Sequence, residues 1–84
     1  MQVTVKFSED IVKDMDLDLA WELFYLYQKG VKIAGETIDT TRKNNWSLVE
    51  KDLQNAQEGS TIDFSLMGDI YFENGKAGFS DDID

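Results

Sequence analysis

Residues 16 to 29 constrain the fold more than any other part of the chain. Leu17, Leu19, Trp21, Leu23, Tyr25 and Tyr27 alternate with Asp16, Asp18 and Glu22, as in a half-buried strand. Ala20, Phe24 and Leu26 break that alternation, and the run far exceeds the roughly 5–6 residues of an ordinary strand. Wound as a helix, the segment leaves one narrow polar stripe at Asp18, Glu22 and Lys29. It then closes on a cation in the last turn followed by Gly30 at the C′ position. The expectation is a helix packed on most of its circumference. Its apolar stretch, Leu17 to Tyr27, is too short and too charged to span a bilayer.

The rest of the chain must cover that helix without help. The sequence contains no cysteine and no histidine, which excludes disulfide scaffolds, zinc ribbons, thiol catalysis and every His-dependent triad or metal site. Its 84 residues are 42% hydrophobic, enough for one small core, so residues 1–84 read as a single compact domain. The first residues lack the charged start and apolar run of a signal peptide, and the expected location is the cytoplasm.

Val3, Val5 and Phe7 alternate with Gln2, Thr4 and Lys6, the pattern of a half-buried strand. Ser8 before Glu9 and Asp10 resembles an N-cap with acids in the first turn, so residues 9 to 15 are expected to form a short helix or helical turn. Val31, Ile33 and Ile38, with Gly35 between, fit either a strand pair with a bulge or a frayed helix. Arg42 to Asn45 reads as a polar loop. Ser47-Leu48-Val49-Glu50 matches a capping box opening a helix that carries Val49, Leu53 and Ala56 on one face and stops near Gly59.

In the last third, Ile62, Phe64, Leu66, Ile70 and Phe72 share one parity, and Gly68 keeps the register between them. Residues 61 to 73 fit either one strand bent at Gly68 or two strands, and the single bent strand is slightly favoured. Asn74-Gly75 is a strong signal for a two-residue hairpin turn. Closing that turn pairs Glu73 with Lys76, Phe72 with Ala77, Tyr71 with Gly78 and Ile70 with Phe79. Asp81 to Asp84 reads as a frayed acidic tail. The expected class is α+β: a small antiparallel sheet, made of the N-terminal strand plus the C-terminal hairpin, packed against two or three helices.

Chemistry is sparse. Asp14, Asp16 and Asp18 form a D-x-D-x-D run, but a calcium loop counted from Asp14 needs glycine sixth and glutamate twelfth. Leu19 and Tyr25 stand there, so these acids are expected to cap and charge a helix start. A two-carboxylate hydrolase would need a pocket enclosing two acids of raised pKa, and no nucleophile elbow or phosphate loop is present. The protein is therefore read as a non-enzyme, with no cofactor and no metal.

Charge is the remaining clue. Seventeen acids against eight bases leave a net −9, beyond the magnitude of about 2–8 that solubility asks of a small domain. Residues 9 to 22 contribute −5 and residues 52 to 84 contribute −7, around a mildly basic middle. Direct nucleic-acid binding is disfavoured, because that surface would repel phosphates. An outward row of Asp63, Asp69, Tyr71 and Glu73 on a sheet face would space its side chains about 6.6–6.8 Å apart at alternate residues. That spacing approaches the phosphate separation along a nucleic-acid strand. The row would suit a cationic nucleic-acid channel of another protein, with Tyr71 as an anchor.

The leading reading is thus a non-enzymatic acidic inhibitor that mimics nucleic acid and docks on a basic nucleic-acid-binding partner such as a nuclease. Its expected setting is a phage or mobile element, as an anti-CRISPR or anti-restriction protein. Asp14, Asp16, Asp18 and Glu22 form the second candidate surface. Small size and acidity are shared with nuclease-toxin immunity proteins, and such an immunity protein is the first alternative. The other alternative is a structural module that self-associates, as a homodimer, through Trp21, Tyr25 and Tyr27.

Overall fold

The computed structural model describes residues 1–33 and 36–71. Alternation sets the first strand, β1 (Gln2–Lys6), which buries Val3 and Val5 and turns Gln2, Thr4 and Lys6 outward. The chain reverses after Phe7, whose N–H donates to the Ile11 carbonyl at 2.8 Å. β2 (Val12–Asp16) returns antiparallel to β1, with Val3 opposite Met15 and Thr4 opposite Asp14.

The helical turn expected over residues 9 to 15 is therefore not formed. Seven residues make a poor isolated helix, whereas Ile11 and Met15 both reach the core when the same segment pairs with β1. Tertiary pairing outweighed the local acid pattern after Ser8.

The helix expected over 16 to 29 is present as α1 (Leu17–Lys29). Asp16 is its N-cap, accepting a hydrogen bond from the Asp18 amide, and Gly30 takes the left-handed conformation at φ 69° after Lys29. The Gly30 amide donates back to the Tyr27 carbonyl and that of Val31 to Leu26, closing the last turn. Ala20, Leu23, Phe24 and Tyr27 form the buried face. Phe7, Phe24, Tyr27 and Phe64 interlock edge-on or stacked, with ring centroids 5.3–6.5 Å apart.

Ile33 bridges Glu36, and β3 (Thr37–Ile38) follows, so the region left between strand and helix is extended where it is described. Gly35 lies outside the described residues. A short 3-10 turn over Lys43–Asn45 leads into α2 (Trp46–Gln54), whose Val49 and Leu53 are buried. The capping box is not formed. The helix begins two residues earlier than that motif requires, with Asn45 in the cap position, and Ser47 lies inside the first turn.

β4 (Thr61–Asp63) adds parallel to β1, opposite its β2 edge, so the three-stranded sheet runs β2-β1-β4 and is mixed rather than wholly antiparallel. A 3-10 turn over Phe64–Leu66 then carries the chain away, and β5 (Ile70–Tyr71) pairs antiparallel with β3 in a separate two-stranded sheet. Residues 61 to 71 thus hold two strands in two sheets, not one bent strand. The class is α+β, with both helices contributing to one core. The Asn74-Gly75 hairpin, its pairings, Glu73 and the acidic tail lie outside the described residues.

Candidate functional site

The turn between β4 and β5 separates the acids that parity had placed in one row. Asp63 ends β4, and its carboxylate is used locally. Its Oδ1 accepts hydrogen bonds from the Ser65 amide at 3.0 Å and the Ser65 hydroxyl, capping the 3-10 turn. Asp69 lies just before β5 in the other sheet, paired with the Arg42 guanidinium at 3.7 Å. Arg42 also donates to the Ser65 carbonyl at 3.1 Å. Tyr71 is 49% exposed, and its hydroxyl donates to Asp39 at 3.2 Å. The structure does not bring Asp63, Asp69 and Tyr71 onto one sheet face.

Asp39 had no signal in the sequence, yet it organises this corner. Its Oδ1 accepts from the Thr41 amide at 3.0 Å, while its own amide donates to the Asp69 carbonyl at 2.8 Å. The Thr41 bonds hold its carboxyl below the usual carboxylate range, and Tyr71 adds to that. The Asp39 charge in turn pushes the Tyr71 hydroxyl up. Tyr71 therefore stays protonated and donating.

Of the acids expected at a helix entry, Asp16 caps α1 and Asp18 charges its first turn, while Asp14 and Asp16 also form an outward carboxylate pair on β2. They sit two apart on β2, opposite Thr4 and Gln2, on the face away from the core. Alternate residues of a strand are about 6.6–6.8 Å apart, so the spacing expected around Tyr71 occurs here. The Thr4 hydroxyl donates to Asp14 at 2.6 Å, fixing its carboxylate. Asp16 accepts from the Asp18 amide at 3.1 Å and pairs with the terminal amine of Met1 at 3.3 Å. The Asp18 amide, then that amine, lower its pKa.

From Asp16 the acids continue onto α1. Asp18 and Glu22 are exposed one turn apart, and Trp21 and Tyr25 occupy the same face. Their rings stack at 6.1 Å and 29°, and Trp21 meets the buried Phe24 edge-on at 6.0 Å. Tyr25 is 51% exposed. Tyr27, grouped with them as an interface residue, is fully buried in the aromatic core, since it lies half a helical turn away.

A concavity brings the two acidic blocks of the sequence together. Glu9 and Asp10 in the β1–β2 turn face Asp69, Ile70 and Tyr71 across an open cleft of about 330 Å³. Among the described residues no group of three or more acids is gathered as a metal-holding cluster. Asp16 and Asp39 are driven down and Tyr27 and Tyr71 up, in each case away from the neutral range where proton transfer is most effective. No protein family profile matches the chain, and neither curated proteins nor solved structures match it.

Proposed function

We propose that this protein is a non-enzymatic acidic inhibitor that docks on a basic, nucleic-acid-binding surface of a partner protein. The observation that carries the reading is the run from β2 into α1, where Asp14 and Asp16 stand at strand spacing and Asp18 and Glu22 extend the line. Rigid elements hold these carboxylates, so little ordering entropy is lost when a partner meets them. A phage or mobile-element inhibitor of a CRISPR or restriction nuclease is the setting that small size and net −9 suit best. The surface of first choice moves to β2 and α1, because the 3-10 turn over Phe64–Leu66 separates Asp63 from Asp69 and Tyr71 and breaks their row.

The test is an affinity capture from host lysate at low salt, with duplex DNA or RNA added as competitor. The wild-type protein is expected to retain a nucleic-acid-binding protein that the competitor displaces. A triple variant, Asp14→Lys, Asp18→Lys and Glu22→Lys, is expected to lose that capture while keeping its circular-dichroism spectrum. Asp16 is left in place because it caps α1. Capture that ignores both competitor and charge reversal would sink the reading.

Self-association through the aromatic residues is less well supported. Only Trp21 and Tyr25 reach the surface, and two copies meeting there would set Asp18 and Glu22 against their own kind.

A further inference from the structure

Asp18, Trp21, Glu22 and Tyr25 lie three or four positions from one another in every adjacent pair, which makes them a four-cornered patch over two turns of α1. Neighbouring Cβ atoms in such a patch are about 5–6 Å apart. Like charges at Asp18 and Glu22, one turn apart, disfavour an isolated helix. Among the described residues neither carboxylate is ion-paired, and no cation lies over either ring. Trp46 differs: Lys43 sits 5.9 Å from its ring centre, so its face is already occupied. Lys29 lies one further turn along, beyond Tyr25, at the helix end where a cation favours the dipole.

We propose that this face of α1 is an arginine-docking surface. A partner's guanidinium lies flat on the Trp21–Tyr25 stack, and the Asp18 and Glu22 carboxylates accept its in-plane N–H groups. Arginine fits better than lysine because its planar, weakly hydrated group stacks on aromatic rings and presents a fork of donors to carboxylates. A compact ammonium gains the charge attraction but cannot cover the stack. Trp21 is pinned from behind by Phe24, so the stack is preformed. The proposal rests on the cationic-partner reading above and adds which cation is recognised, and where.

Calorimetric titration with nona-arginine and nona-lysine peptides at low salt tests it. The arginine peptide is expected to bind more tightly and to shift the Trp21 indole N–H resonance while leaving that of Trp46 in place. Tyr25→Leu, an exposed change, should weaken arginine binding about two- to fivefold, as loss of a cation–π contact implies, and weaken lysine binding less. Asp14→Asn lies off this patch and should weaken both peptides equally. Equal affinity for the two peptides, or an unchanged Tyr25→Leu titration, overturns the α1 assignment alone. Absence of binding by either peptide overturns the cationic-partner reading with it.

Discussion

Gly68 shows how a single backbone position divides the acidic residues between two sheets. It adopts φ +143°, a region in which side chains are strained, and a Cβ there would stand 1.3 Å from the Asp39 carbonyl oxygen. The β4–β5 connection passes that close to the end of β3, so only glycine is tolerated. Gly68→Ala should therefore cost more than the roughly 1–3 kcal/mol of backbone strain alone, because the clash is with backbone that cannot step aside. Gly30→Ala makes the contrast. Its φ is +69° with open space around the added methyl, and about 1 kcal/mol is expected. Urea unfolding of the two variants checks this, and equal losses would mean the Asp39 approach does not govern the turn. A glycine inside an apolar alternation already signals a bulge or a close backbone approach. Which backbone approached was not legible, since Asp39 is nearly thirty residues away in the chain.

At the scale of elements, legibility followed how local each cause was. α1 could be read to both ends because its cap, dipole charges and terminal glycine all lie within or beside it. β2 could not, because its strand character comes from pairing with β1, while its local acids imitate a helix start. The two caps yield a direct comparison. Ser47→Ala should change stability by less than about 0.5 kcal/mol, since Ser47 lies inside α2 and makes no cap bond. A working Ser cap would instead cost about 1 kcal/mol when removed. Asp16→Ala should lower the urea midpoint, and Asp16→Asn should restore most of it, because asparagine also accepts from the Asp18 amide. A larger loss at Ser47 than at Asp16 would reverse the assignment. The row drawn through Asp63 and Asp69 failed for the same reason. The strand spacing argued for Asp63 and Asp69 was sound geometry attached to a strand that does not continue, whereas Asp14 and Asp16 had it unnoticed.

For the molecule as a whole, net charge and size together set how salt acts. The described chain measures 34 × 26 × 23 Å, close to the Debye length of about 30 Å at 0.01 M ionic strength. At that ionic strength nearly every acid feels every other, and Glu9 and Asp10 face Asp69 across a single cleft. At 0.15 M the screening length falls to about 8 Å, so only near neighbours still interact. With an excess of nine negative charges, folding gathers repulsion that screening relieves. The melting temperature should therefore rise with sodium chloride over this range. Binding to a cationic partner must move the opposite way, because the same screening removes the attraction. Asp10→Asn, which removes one charge from the cleft, should raise the melting temperature at 0.01 M and much less at 0.15 M. A melting temperature that falls with salt would show that attractive pairs such as Arg42–Asp69 outweigh the repulsion. Opposed salt responses are what the proposed cationic partner requires: acids that weaken the free fold by repulsion would be relieved when such a surface covers them.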